Sequence, residues 1–135
     1  MSESCSPPAH PREFLVISLG QWDPQRSPEE IQAAIDRFYV WHAQLVAEGK
    51  MKVGQRLAKE GRRVTRTGII DGPFSETKEV IGGYWFVIAD TLDEAARLSS
   101  QNPCLECGLS YEIRPFESIR ASAFAITSET PARSA

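Results

Sequence analysis

The sequence predicts an α+β fold, in which an antiparallel sheet carries two helices on one face. Two runs, 14–19 and 83–89, are continuously apolar, which is typical of central strands. Two other segments begin with an N-cap residue and continue with apolar residues at helical spacing. With the alternating segments that surround them, these runs give the order β-α-β-β-β-α-β. This order indicates a ferredoxin-like fold with a hairpin inserted in its middle.

The first helix is predicted over residues 28–48. Ser27 is its N-cap, Pro28 occupies the first helical position, and Glu30 completes a capping box with Ser27. Gly49 ends the helix. Apolar residues at helical spacing predict the face that packs on the sheet: Ile31, Ala34, Ile35, Phe38, Trp41 and Leu45.

The remaining strands are predicted from alternating apolar and polar residues. Residues 51–57 and 62–70 flank a turn at 59–61, and we expect them to pair as a hairpin. Residues 109–116 alternate in the same way and predict the last strand.

The second helix is predicted over residues 92–101. Thr91 is its N-cap, and Glu94 is placed to complete a second capping box. Pro103 stops the helix because proline cannot continue it.

The length of 135 residues fits one domain with one core. Residues 1–12 are rich in Pro and Ser, and we expect a disordered N-terminal tail. The domain is predicted over 13–117. Residues 118–135 are mostly small and polar; we expect this tail either to add an edge strand or to lie loose, with a disordered end.

The composition excludes several classes of protein. A hydrophobic share of 41% and a charged share of 24% are ordinary for a globular protein, and the net charge of −3 gives no general attraction for nucleic acid. No window approaches a membrane span, and the first residues lack the basic start and apolar run of a secretory signal. We therefore expect a cytoplasmic protein with no nucleic-acid or membrane partner. The predicted hairpin also carries a basic run, which consists of Lys59, Arg62, Arg63 and Arg66. Such a run fits either a nucleic-acid contact or protection of a sheet edge, and the acidic net charge favours protection of the edge.

Cys104 and Cys107 form a C-x-x-C pair. A structural zinc site usually needs two such pairs, and a redox pair belongs at a helix N-terminus, whereas this pair follows the end of a helix. We interpret the pair as two cysteines in a loop and expect no metal and no cofactor.

The two apolar strands also predict a partner. Both of their faces require burial, but two helices cover only one face of a sheet. An uncovered face would be a large exposed apolar patch, so we expect a homodimer packed sheet to sheet.

Two stretches, DGPFSETKEVIGGYWFVIADTLDEA and NPCLECGLSYEIRPF, resemble the DGPF subgroup of the YCII-related family. The resemblance covers residues 14–117. It implies a dimeric α/β barrel with a cleft in each subunit and a His–Asp pair as general acid and base. These two residues map to His42 and Asp71. Some members of the family resemble small-molecule enzymes, and others are associated with sigma-factor regulation.

His42 and Asp71 each allow two interpretations. An Asp that opens a turn usually accepts the N–H two residues on, but that residue is Pro73, which has none. The carboxylate of Asp71 therefore either structures the turn through another donor or meets a ligand. His42 lies on the inward stripe of the first helix and is either a core-edge residue or a proton-transfer group.

Further candidate ligand-binding residues are Phe74, Glu76, Lys78 and Arg114. Lys78 would attract an anion, although the charges around it also fit a solvated loop; Arg114 also fits a structural ion pair with Glu112 or Glu79. We expect a cofactor-free enzyme acting on an unidentified small molecule by lyase, isomerase or hydrolase-like chemistry. The alternative is a non-catalytic ligand-binding or regulatory module.

Overall fold

The computed structural model describes residues 12–72 and 80–132. Its elements, in chain order, are β1 (Arg12–Leu19), α1 (Pro28–Ala47), β2 (Met51–Arg56), β3 (Arg62–Thr65), β4 (Gly68–Asp71), β5 (Ile81–Ala89), α2 (Leu92–Ser99), a 3₁₀ helix (Pro103–Cys107) and β6 (Ser110–Pro115).

Four strands form the main sheet in the order β2-β5-β1-β6, and each neighbouring pair is antiparallel. The two strands that contain the apolar runs, β1 and β5, are the central strands, as predicted. With α1 and α2, this order is the ferredoxin-like arrangement that the sequence indicates. The α+β prediction is confirmed.

The start of α1 follows its sequence signals. The Ser27 hydroxyl accepts the Glu30 N–H at 3.1 Å, and the Glu30 carboxylate accepts the Ser27 N–H at 2.9 Å. Two otherwise unpaired donors are thus satisfied. At the other end Gly49 has a φ of +77°, a conformation that favours glycine, and the helix stops there.

The face of the sheet that α1 and α2 cover contains the main core. Phe14 and Val16 of β1 and Val87 of β5 are fully buried, and Trp85 retains only 9% of its exposure. Ala95 contributes from α2. Because strand residues alternate between faces, every second residue of β1 and β5 belongs to this layer.

The opposite side, here called the open face, carries the alternate residues of β1 and β5: Leu15, Ile17, Leu19, Tyr84, Phe86 and Ile88. Each is partly exposed. Phe86 makes ring contacts with Tyr84 and with Phe116, the residue after β6. No described element covers this face.

The predicted hairpin between 51–57 and 62–70 is wrong. β2 instead pairs with β5, where Met51 lies opposite Val87 and becomes buried. Pairing with β5 thus gives β2 more apolar contact than pairing with the strand that follows it in the chain would give. Residues 62–70 turn back on themselves, and β3 pairs with β4 in a separate two-stranded sheet.

Three smaller features differ from the sequence predictions. α2 ends at Ser99, and the carboxylate of Glu94 accepts from the N–H of Asp90, one residue before the N-cap, instead of closing a capping box. The two cysteines lie buried in the 3₁₀ helix and not in a loop. Residues 117–132 form turns without a strand.

Neither helix in the described part of the chain has the length and hydrophobicity that crossing a lipid bilayer requires.

Candidate functional site

A cavity of about 310 Å³ lies between α1 and the covered face of the sheet. Its wall is mostly apolar, which is the usual character of a small-molecule site. The aromatic and aliphatic lining residues include Trp22, Ile35, Phe38, Val53, Trp85 and Leu109. The polar lining residues include Ser18, His42, Gln55, Arg56, Cys104 and Tyr111.

Glycines bring the strands together at one side of the cavity. A Cβ at Gly54 would lie 1.9 Å from the carbonyl oxygen of Tyr84, and a Cβ at Gly83 would lie 2.8 Å from that of Gln55. Both distances are too short for a real side chain, so each position requires glycine while β2 runs this close to β5. The register shift between Lys52 and Gln55 lies at the same point.

α1 places His42 in the cavity wall among aromatic rings. Its imidazole stacks on Phe38 with ring centroids 5.3 Å apart, and it meets the ring of Trp85 edge-on at 5.6 Å. Its Nε2 is buried and has no hydrogen-bond partner among the described residues. Burial lowers the pKa of His42 below its ordinary value, so the ring is neutral at neutral pH.

Tyr111 reaches the same wall from β6. Burial raises its pKa, and the neighbouring Cys104 raises it further, while Asn102 and Ser18 act in the opposite direction. Burial also raises the pKa of the Cys104 thiol. Tyr111 and Cys104 are therefore neutral groups at neutral pH, and Ser18 and Asn102 beside them are almost fully buried.

Arg56, the last residue of β2, brings a positive charge to the cavity. Its Nη2 and the hydroxyl of Ser18 both lie close to Gly82. A Cβ at Gly82 would be 3.7 Å from Nη2 of Arg56 and 3.6 Å from Oγ of Ser18. The guanidinium of Arg56 makes no hydrogen bond or ion pair within the ranges 12–72 and 80–132.

Asp71 lies elsewhere. It is the last residue of β4, its side chain is 79% exposed, and its Oδ1 lies 3.0 Å from Nε of Arg62 on β3. It is not among the described residues that line the cavity. The cavity wall therefore contains His42 but does not bring Asp71 to it.

The other predicted ligand-binding residues also lie outside this wall. Arg114 is opposite Leu15 on the open face and makes an ion pair with Glu112 at 3.3 Å, one of the two partners expected for it. Phe74, Glu76 and Lys78 are outside the described residues.

Most of the polar wall was not predicted from the sequence. Tyr111 lies in the alternating segment 109–116, which predicts a strand and no site, and Arg56 and Ser18 belong to no motif. The glycines at 54, 82 and 83 were the available signal, because glycine inside a strand marks a bulge or a close backbone approach. No cluster of three potential metal-ligating side chains occurs within the described ranges.

Comparison with known proteins identifies the family. The YCII-related domain matches residues 15–117, which is most of the chain. The chain belongs to the YCII-related family. An uncharacterised protein of Rhizobium meliloti (strain 1021) is 36% identical over 87 residues, which span 62% of this chain and 68% of the relative. Placement of this YCII-related protein in the DGPF subgroup remains a prediction from its motifs.

Two solved structures are similar to parts of this YCII-related chain. One is 5-chloro-2-hydroxyhydroquinone dehydrochlorinase from Burkholderia phenoliruptrix AC1100, in complex with 2,5-dihydroxybenzoquinone, at 18% identity and a TM-score of 0.43 over 78% of this chain and 93% of that one. The other is hydroxynitrile lyase from Passiflora edulis, at 12% identity and a TM-score of 0.39 over 82% of this chain and 99% of that one.

Proposed function

We propose that this YCII-related protein is a cofactor-free small-molecule enzyme in which His42 transfers a proton within the cavity beneath α1. One observation carries the proposal. A neutral imidazole with an unpartnered nitrogen lies in the wall of a mainly aromatic cavity large enough for a small ring.

The chemistry follows from the protonation states of the wall. A neutral His42 can accept a proton from an acidic C–H or O–H of the bound molecule and return it at another atom, as an isomerase or lyase requires. Tyr111 keeps its proton at neutral pH and can donate a hydrogen bond to the oxyanion that forms on the substrate. His42 thus moves the proton, and Tyr111 stabilises the charge.

The proposal does not need Asp71 in the same subunit. The exposed carboxylate of Asp71 pairs with Arg62 on the hairpin, whereas the imidazole of His42 is held by contacts with Phe38 and Trp85. The predicted His–Asp pair is therefore a separate hypothesis, and Asp71→Asn tests it independently.

A ligand-binding or regulatory module is the second candidate. The observation that favours it is the burial of His42 Nε2 beneath neighbouring rings, which shields that nitrogen from a ligand in this conformation. In this case the cavity binds the same class of molecule but does not transform it, and the dimer signals to a partner such as a sigma factor.

A two-stage experiment separates the candidates. A panel of monocyclic aromatic acids, phenols and ketones is first screened by thermal shift, and compounds that stabilise the protein are then assayed for turnover. We expect His42→Asn to lower turnover by about 10² to 10⁴ while ligand binding persists, since that is the usual contribution of general acid–base catalysis. The matched control is Asp71→Asn, for which we expect nearly full turnover.

Two outcomes contradict the enzyme proposal. If His42→Asn turns over substrate at the wild-type rate, His42 is not the proton-transfer group. If compounds bind but none is transformed by the wild-type protein, the binding module is the better description.

We further propose that the chain forms a homodimer through the open face. That face presents six partly exposed apolar residues on two neighbouring strands, without a helix to cover them. Sedimentation at micromolar concentration should give about twice the 15.0 kDa of one chain, and Phe86→Glu should reduce it to one chain. A wild-type monomer at that concentration would rule out the dimer.

A further inference from the structure

We infer that the cavity takes an anionic planar ring, an aromatic carboxylate, and that Arg56 is the residue that binds its carboxylate. This inference rests on the proposed function, in that it names the class of molecule for the same site. It depends on the charge of the wall, on the position of Arg56 and on the rings around the cavity.

The described part of the cavity wall carries a positive charge and no negative one. None of the described residues that line the cavity is Asp or Glu, and His42 is neutral, so Arg56 is the charged group among them. A guanidinium keeps its proton throughout the physiological range. A neutral ligand would leave this charge unbalanced, whereas a carboxylate would neutralise it with two parallel hydrogen bonds.

Arg56 also differs from arginines elsewhere on the chain. Other guanidinium groups already have acidic partners: Arg26 with Glu30, Arg37 with Glu106, Arg62 with Asp71 and Arg114 with Glu112. The guanidinium of Arg56 has no hydrogen bond or ion pair with another described residue, although it lies at the cavity. Its donors are therefore available to a bound anion.

The strands leave room for the anion beside Arg56. In the sheet Arg56 lies opposite Gly83, and its Nη2 is close to Gly82, so no side chain from this part of β5 fills the space. The hydroxyl of Ser18 is on the same side and offers a second donor. A carboxylate at this position would thus have both a cation and a hydroxyl beside it.

The rest of the wall selects a flat ring. Five aromatic side chains line a volume of about 310 Å³: Trp22, Phe38, Tyr39, Trp85 and Tyr111. Such a volume is at the small end of ligand sites, and aromatic walls favour a stacked or edge-on ring. A single ring with one carboxylate matches both the size and the charge.

Benzoate and benzamide form a matched pair of probes, because they have the same shape and differ in charge. Ligand-observed NMR titrations of the full-length protein would give Kd for each compound. We expect benzoate to bind about tenfold more tightly than benzamide, the lower end of what a charge-assisted hydrogen bond contributes. Arg56→Gln should remove this preference by weakening benzoate and leaving benzamide unchanged.

Two control variants test whether charge is the cause. Arg56→Lys keeps the charge and should retain part of the preference for benzoate. Arg120→Gln removes an exposed arginine from the C-terminal segment and should change neither Kd. Urea unfolding of each variant shows whether it is folded.

The outcomes separate this inference from the proposed function. If benzoate and benzamide bind wild-type protein equally and Arg56→Gln changes neither, the inference is wrong and the proposed cavity site stands. If neither compound binds at millimolar concentration, both the inference and the proposed function lose their basis. If Arg56→Gln weakens both probes equally in a folded protein, Arg56 shapes the cavity and does not recognise charge.

Discussion

The cavity wall beneath α1 and the β3–β4 hairpin are the two regions that carry the residues predicted to act together. His42 in the cavity wall contacts the rings of Phe38 and Trp85, which pack against the core. Asp71 on the hairpin contacts Arg62, and both side chains are mostly exposed. The side chain of His42 is therefore partly enclosed by aromatic rings, and that of Asp71 is surrounded largely by solvent.

This difference decides what each side chain can do. In the cavity wall, burial lowers the pKa of His42 and raises that of Tyr111, so both groups are neutral and suited to proton transfer and hydrogen bonding. On the hairpin, water screens the ion pair of Asp71, and an exposed pair contributes little. The packing around each side chain, and not its residue type alone, therefore determines its protonation state and the strength of its interactions.

The largest contrast should be in stability. Phe14 is fully buried beneath the helices, whereas Ile69 on the hairpin is 70% exposed. Phe14→Ala should lower the free energy of unfolding by roughly 3–5 kcal/mol, and Ile69→Ala by about 0.5 kcal/mol or less. Urea denaturation measures both. A large loss for Ile69→Ala that grows with protein concentration would mean that the hairpin packs against a second copy.

Tyr111 should produce the next effect, at alkaline pH. Its pKa is raised in the folded protein, so above the ordinary value near 10 the unfolded chain loses this proton while the folded chain keeps it. Stability should therefore fall as the pH rises beyond about 10, and Tyr111→Phe should reduce that fall. Unfolding curves at several alkaline pH values test it. An unchanged slope in the variant would show that Tyr111 is not held in its neutral form.

His42 should act in the opposite direction and by a smaller amount, because burial shifts its pKa less than it shifts the pKa of Tyr111. Its pKa is lowered on folding, so below about 6.5 the unfolded chain binds a proton that the folded chain does not. Stability should decline as the pH falls from there toward the lowered value. The decline should be smaller in His42→Gln, which has no group to protonate, and thermal melts across this range compare the two proteins.

The smallest effect is expected on the hairpin. Asp71→Asn removes the charge that faces Arg62, and loss of an exposed ion pair should change the free energy of unfolding by less than about 1 kcal/mol. Arg62→Gln is the matched variant and should behave in the same way. If Asp71→Asn instead lowered turnover as strongly as His42→Asn, Asp71 would reach a cavity after all, and the two regions would form one site.

Local signals in the sequence determined the helix starts and the central strands of this protein. Ser27, Pro28 and Glu30 specify the start of α1 because a capping box is formed by residues three apart. The apolar runs around Phe14 and Trp85 specify the central strands because such runs favour burial in the middle of a sheet. These signals act over a few residues, so one sequence suffices to detect them.

Only the tertiary structure decided the site. Ser18, Arg56 and Tyr111 come from three strands, and their proximity depends on sheet order and on the close approach at Gly54 and Gly83. The partner of β2 was likewise a choice between a neighbouring hairpin strand and the central strand β5. Which distant segments pair depends on the total apolar surface that each pairing buries. That area is a property of the whole fold, so it cannot be deduced from the spacing of residues within one segment.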